Sequence, residues 1–270
     1  MATAKFRHIA ISTEDPRKLA DWYMDVFGLV EKGPTGHGGV YLSDGDINFA
    51  ILRIARQDDP SKAQVGVSHY GFRAVDAEAT YRKLAEAGAK SLPGRPLPNQ
   101  FFEAKFEAPD GIGFEVSDGG WPGTTRPGEA TSTEKAIAKF RHVAIAVPDP
   151  EQTARWYQDV FGFEEVGRTG HGGYYLSDGD VNFAVLYARA REGESEPRPQ
   201  FSHFGFMVAD PEAVYRKLAQ VGAKRLPSVA IANQFFESKF AALDGVSFDI
   251  SDHGWPGTTP VGRASAATGA

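Results

Sequence analysis

The chain contains no cysteine. Disulfides, thiolate nucleophiles and iron–sulfur clusters are therefore excluded. Positive charge is not in excess either. There are 29 Lys and Arg against 35 Asp and Glu, a formal net charge of −6, and no basic run interrupts that balance. Nucleic acid and other polyanions are poor partners for such a chain. No apolar stretch is long enough to span a bilayer. The opening residues, MATAKFRH, lack the apolar core of a secretory leader and run into a strand-like segment. The expectation is a cytoplasmic protein with no membrane partner.

What the chain has is a duplication. Residues 5–126 and 139–260 align without a gap at a constant offset of 134. KFRHIAIST answers KFRHVAIAV, GHGGVYLSDGDINFAIL answers GHGGYYLSDGDVNFAVL, and DGGWPGTT answers DHGWPGTT. The 270 residues suffice for one large or two ordinary domains, and the repeat favours two, each long enough to bury a core of its own. The expected boundaries are a first domain over 1–121, a linker over 122–138, a second domain over 139–260 and a polar tail over 261–270.

Within the first repeat, Phe6 to Ser12 alternates and is rich in β-formers, which predicts a strand. Thr13-Glu14-Asp15-Pro16 then opens a helix that carries Leu19, Trp22, Tyr23, Val26 and Phe27 at core-facing spacing and ends at Gly28. Short strands are expected near 29–33, 38–43 and 46–54, with Ser43-Asp44-Gly45-Asp46 as a turn. The second half repeats the order: a strand at His69-Tyr70-Gly71-Phe72, a helix from Asp76 to Ala87, and strands near 89–92, 101–107 and 112–117. Each half reads β-α-β-β-β, and the fold class is α+β.

The duplication keeps particular polar residues. His8 falls on His142, His69 on His203 and Glu115 on Asp249. Two imidazoles and one carboxylate form the ligand set of an open divalent-metal site. Strand alternation puts Phe6, His8 and Ala10 on one face, His69, Gly71 and Arg73 on one face, and Gly113, Glu115 and Ser117 on one face. A polar residue bracketed by large apolar ones needs a partner. For a lone strand histidine that partner is ordinarily a core hydrogen bond; a metal is the alternative. Gly71 and Gly113 leave room beside the ligands for a ligand or substrate.

Paired β-α-β-β-β modules with RHIAIST and DWYMDVFGL, SHYGFRAVD and YRKLAEAGAK, and FEAPDGIGFEVSD, all recurring in the second repeat, resemble the vicinal oxygen chelate superfamily. That superfamily includes glyoxalase I, methylmalonyl-CoA epimerase, extradiol dioxygenases, and fosfomycin- and bleomycin-resistance proteins. The resemblance covers nearly the whole chain. It implies that each pair of modules forms a curled open sheet around a metal held by His8, His69 and Glu115, and again by His142, His203 and Asp249. It also implies a possible fourth ligand on the last strand of the first module. Asn48 and Asn182 are the residues available there, as weak ligands or as groups orienting a water. The ligand sets form either within each repeat or between repeats, with His8 and Asn48 meeting His203 and Asp249; the sequence is compatible with both.

A triad with three open positions suits Fe(II), and equally Mn, Zn, Ni or Co acting as a Lewis acid on neighbouring oxygens. The reading favoured is an Fe(II)-dependent extradiol-type dioxygenase acting on a small molecule with vicinal oxygens. The alternatives are a glyoxalase-like lyase or epimerase-like isomerase, and a ligand-binding protein of the drug-resistance kind. Two departures stand against the dioxygenase. Lys105 and Lys239 occupy the position where extradiol relatives carry a tyrosine, ten residues before the carboxylate, and no histidine shortly precedes His69. Either lysine is an oxyanion-stabilising or acid group, or it is a solvated strand lysine. His37 and His171, in Thr-Gly-His-Gly-Gly loops, are candidate acid–base or substrate-binding groups. Arg73 and its counterpart Met207, with Trp121 and Trp255, are candidates for the substrate pocket. A homodimer is compatible with the chain.

Overall fold

A computed structural model describes residues 2–36, 38–54, 65–93, 103–129, 137–190, 193, 195–227 and 237–261. The first repeat comprises β1 (Ala4–Thr13), α1 (Pro16–Phe27), β2 (Val30–Pro34), β3 (Val40–Ser43), β4 (Asn48–Arg53), β5 (Gly66–Ala74), α2 (Ala77–Glu86), β6 (Lys90–Leu92), β7 (Ala104–Glu107) and β8 (Gly113–Ser117). The second repeats the order as β9 (Ala138–Val147), α3 (Pro150–Phe161), β10 (Glu164–Arg168), β11 (Tyr174–Ser177), β12 (Asn182–Tyr187), β13 (Gln200–Val208), α4 (Pro211–Gln220), β14 (Lys224–Arg225), β15 (Ser238–Ala241) and β16 (Ser247–Ser251). The α+β class and the β-α-β-β-β modules stand as expected.

Local chemistry sets the helix limits. The Asp15 carboxylate accepts from the Lys18 amide and Pro16 fixes the first turn, while Gly28 closes α1 in the left-handed region at φ 69°. Asp149 and Gly162 do the same for α3.

Each repeat forms its own eight-stranded open sheet, ordered β2-β3-β4-β1-β5-β8-β7-β6 in the first and β10-β11-β12-β9-β13-β16-β15-β14 in the second. The two module-opening strands, β1 and β5, lie antiparallel at the centre, each flanked by the parallel last strand of its own module. The ligand-type residues of one repeat therefore meet on adjacent strands of one sheet. This decides the arrangement the sequence left open: each set forms within a repeat.

The apolar core is not divided in the same way. Phe27 of α1 stacks on Phe206 of β13 with ring centroids 4.1 Å apart and meets Phe248 of β16 edge-on. Phe161 of α3 meets Phe72 of β5 at 4.4 Å. One continuous cluster of buried residues runs through both repeats. The expectation that each repeat buries its own core is thus corrected: the aromatic rings of α1 and α3 reach past their own sheets and fill the space against the other repeat.

A second correction concerns β1. The pairing of β1 with β5 shifts between Phe6 and His8, so Arg7 is an extra residue in the strand. Such a bulge breaks the two-residue alternation. Phe6 consequently lies in the core, stacked 5.3 Å from Phe140, while His8 faces the opposite side with Ala10. They do not share a face as strict alternation implied. β9 carries the same shift between Phe140 and His142.

The bulge is held from the other repeat. The Phe6 amide donates to Asp178 Oδ2 at 2.7 Å, and the Phe140 amide donates to Asp44 Oδ2 at 2.7 Å. Each aspartate also organises its own Ser-Asp-Gly-Asp turn, Asp44 Oδ1 accepting from the Asp46 and Ile47 amides. Arg7, fully buried, donates to Asp180 at 2.6 Å, and Arg141 donates to Asp46 at 3.1 Å. The SDGD segment, expected only as a turn, is the device that joins the repeats.

Asp178→Ala should destabilise the protein by about 3 kcal/mol, because buried amides in both repeats lose their acceptor. Urea denaturation measures this. A change under about 0.5 kcal/mol, the size of an ordinary surface substitution, would show that the cap does not hold the bulge.

Candidate metal centres

His8, on the central strand β1, is 2% exposed. Its Nδ1 lies 2.9 Å from Asn48 Oδ1 on the neighbouring β4, where His8 and Asn48 are register partners. The Asn48 amide nitrogen donates to Pro122 O at 2.8 Å. That second bond fixes which end of the amide faces the ring. Oδ1 is the acceptor, so His8 Nδ1 carries the proton and Nε2 presents a bare lone pair. The second repeat reproduces the arrangement with His142, Asn182 and Pro256 at 2.8 Å for both bonds.

The His8 lone pair points at a cluster. His8 Nε2 lies 3.3 Å from His69 Nε2, which lies 3.3 Å from Glu115 Oε1, and Glu115 Oε2 is 3.9 Å from His8 Nε2. In the second repeat His142 Nε2 lies 3.2 Å from His203 Nε2, which lies 3.2 Å from Asp249 Oδ2. One ring proton on His69 cannot serve both His8 and Glu115, and the buried Glu115 Oε2 accepts no hydrogen bond. A divalent cation satisfies all of these atoms together. With metal–ligand distances near 2.1 Å, neighbouring ligands of one ion lie about 3 Å apart, close to the spacing seen. In both repeats the three candidate ligand atoms lie within 4.8 Å of one another. The residues present fit such an ion.

The electrostatics favour the ligand forms of His8, His142 and Glu115, and oppose that of Asp249. Burial lowers the His8 pKa to about 3, and it lowers His142 likewise, so both rings are neutral. Burial pushes the Glu115 carboxyl upward, but His69, its hydrogen bond, His8 and Lys105 together hold it well below the usual range. Asp249 is pushed up to about 7, by burial first and then by the charge of Glu237, against the pull of Lys239.

Asn48 and Asn182 thus orient histidines, and their oxygens are turned to the rings. Lys105 is not a solvated strand lysine. Its Nζ hydrogen-bonds Glu115 Oε1, across the register pair that β7 and β8 form. Lys239 lies against both oxygens of Asp249, across the corresponding register pair of β15 and β16. Trp121 stacks on His8 with centroids 4.6 Å apart and planes 9° apart, and Trp255 stacks on His142. Gly71 exists for that ring: a Cβ there would lie 2.6 Å from the Trp121 indole. Its lack of a side chain makes room for the tryptophan rather than for substrate. The loop that carries Trp121 is pinned through Pro122 and through Gly123, whose carbonyl accepts from Ser43. The start of the expected linker is therefore part of the centre.

Arg73 has the parity expected but sits one step further along β5, under that loop. Its guanidinium donates to the carbonyls of Asp118 and Thr124. Met207 lies in the same place beneath Gly254. Both brace the loop and do not line a cleft. His171 is exposed in the turn between β10 and β11. His37 lies outside the described residues.

Two pairs of residues at the centres were not anticipated. Glu103 accepts from the Trp121 indole at 3.0 Å and lies 3.9 Å from Lys105 Nζ. Burial, and then the nearby Glu115, raise its pKa to about 7. Glu237 accepts from Trp255 at 2.9 Å. Tyr41 and Tyr175 stand near the same carboxylates, and burial followed by those charges pushes their phenols to about 12. The sequence signal for Glu103 was its spacing of two from Lys105, which puts both on one face of a strand.

The sequence matches the Glyoxalase/Bleomycin resistance protein/Dioxygenase superfamily over residues 5–116 and 139–233. The chain belongs to that superfamily. No curated protein matches it significantly. Among solved structures, the 2,3-dioxygenase LapB from Pseudomonas sp. KL28 is 19% identical with a TM-score of 0.69, covering 95% of each chain. The Mn(II)-bound glyoxalase from Novosphingobium aromaticivorans is 19% identical with a TM-score of 0.70, over 93% of this chain and 83% of its own. An extradiol ring-cleaving dioxygenase from B. fuscum is 15% identical with a TM-score of 0.66, over 95% and 73%. These likenesses establish a shared fold.

Asn48→Leu removes the acceptor that fixes the His8 ring. Metal affinity at the first centre should fall by on the order of 10- to 100-fold while the second keeps its own. Metal content after dialysis against a weak chelator reads this out, and unchanged content would contradict the orienting role.

Proposed function

We propose that the chain is a divalent-metal-dependent enzyme acting on a small molecule with adjacent oxygens, with His8, His69 and Glu115, and His142, His203 and Asp249, as the ligands. The favoured activity is ring cleavage of the extradiol type with Fe(II). The observation that carries this reading is the turn of Asn48 and Asn182 toward the histidines. It leaves a two-histidine, one-carboxylate set with no fourth amide ligand, the pattern that keeps positions open for substrate and O₂. When bound, the metal supplies positive charge that acidifies a coordinated hydroxyl and, as iron, electrons for O₂ chemistry.

The surrounding residues supply the rest. His8 stays neutral and fixed in one tautomer by Asn48. Trp121 covers the ring face of His8 and keeps water from it. Lys105 places positive charge beside the ligand carboxylate, where it stabilises an anionic oxygen of the substrate. Glu103, held by Trp121, is the carboxylate placed to receive a proton from a substrate hydroxyl.

Glu103 also favours a second reading, a glyoxalase-like lyase or isomerase. There the same carboxylate would shuttle a proton between neighbouring carbons, or serve as a fourth oxygen ligand.

Protein loaded with Fe(II) without oxygen and then exposed to a panel of catechols should consume O₂ and yield a coloured ring-fission product. Absence of O₂ uptake with iron, together with isomerisation of a hemithioacetal by the Mn(II), Ni(II) or Zn(II) form, would overturn the first reading in favour of the second.

A further inference from the structure

The two centres are built alike, but their carboxylates are not placed alike. In the first, Lys105 hydrogen-bonds Glu115 Oε1, the oxygen 3.3 Å from His69 Nε2, while Oε2 lies 3.9 Å from His8 Nε2. Lys105 is moreover shared with a second carboxylate, Glu103, 3.9 Å away. In the second, Lys239 Nζ lies 2.8 Å from Asp249 Oδ1 and 2.9 Å from Oδ2, so the ammonium straddles both oxygens. Oδ2 is the same atom that lies 3.2 Å from His203 Nε2. Asp249 is also one methylene shorter than Glu115, which limits its reach away from the lysine toward the histidines.

A cation entering the first triad meets a carboxylate on a longer arm, whose lysine also faces Glu103. A cation entering the second must draw an oxygen away from an ammonium seated on both, and the two positive charges repel at that range.

We propose that the two centres load metal unequally, the first triad being the tight site, and that Lys239, by straddling Asp249, makes the second a weak site filled only at higher metal concentration. The inference rests on the metal reading above. It assigns Lys239 a role that acts through the ligand carboxylate. One fold thereby holds a resident metal and an exchangeable one.

The test uses the full chain, stripped of metal and titrated with Mn(II) alone. Free Mn(II) is read by electron paramagnetic resonance and heat by calorimetry. Two steps of one equivalent each are expected, separated by on the order of 10- to 100-fold in affinity. His8→Ala should remove the tight step, and His142→Ala the weak one. Lys239→Met should tighten the weak step by a similar factor and leave the tight step alone. That substitution leaves a buried carboxylate without its counter-charge when metal is absent, so Asp249→Glu is the companion variant. Its longer arm should also bring the weak step toward the tight one in a chain that keeps the ammonium. Two equivalents of equal affinity would overturn the inference while leaving the metal reading intact. So would a weaker second step in Lys239→Met, which would make the lysine an orienting partner of Asp249. No Mn(II) uptake at either triad would overturn the metal reading and this inference with it.

Discussion

The aspartate cap that each repeat places on the first strand of the other is the interaction on which both centres depend. A regular β1 would send Phe6 and His8 to the same face. The extra residue Arg7 breaks that alternation, and the freed Phe6 amide is taken by Asp178 of the second repeat at 2.7 Å. The same exchange runs from Asp44 to Phe140. Buried amides are rarely left without acceptors, so the bulge and the docking of the repeats stabilise one another. The outcome is a phenylalanine in the shared core and a histidine on the opposite face, in each half. Duplication thus has a structural use here: each repeat caps the strand that carries the other's buried histidine.

Around each histidine the protein offsets the desolvation of several polar groups within a few ångströms. His8 and His142 are neutralised by burial, their tautomer is set by an asparagine whose other end is anchored to a loop carbonyl, and a tryptophan covers the ring. The same tryptophan then donates to Glu103 or Glu237. The loop that follows β8 therefore does three tasks: it seals the ring, locks the amide and positions a second carboxylate. Gly71 and Gly205 are the sites of close approach that admit the indole, with an added Cβ meeting it at 2.6 and 2.5 Å.

The ligand-type residues were legible because two signals coincided, strand alternation around His69 and Glu115 and the recurrence of the set 134 positions on, with Asp249 for Glu115. The module order and the helix limits were legible from caps and glycines. Other features were not, for identifiable reasons. The β1 bulge depends on an acceptor 172 residues away, which no local pattern encodes. The choice between sites within and between repeats depends on which strands pair, and β1 with β5 satisfies the same alternation as any other pairing. Arg73 had the right face but the wrong position, because the loop 118–124 folds over the end of β5. Glu103 and Tyr41 were passed over because their neighbours come from other strands and from the tryptophan loop. The shared core was missed because the length of a repeat says nothing of how far its aromatic rings reach.

The most direct test of the two metal centres is anomalous diffraction from crystals grown without oxygen in the presence of Fe(II) or Mn(II). Metal peaks are expected in coordination contact with His8 Nε2, His69 Nε2 and a Glu115 oxygen of the first repeat, and with the matching atoms of the second, each set drawn from a single repeat. Peaks elsewhere, or a metal held by His8 together with His203 and Asp249, would contradict that assignment.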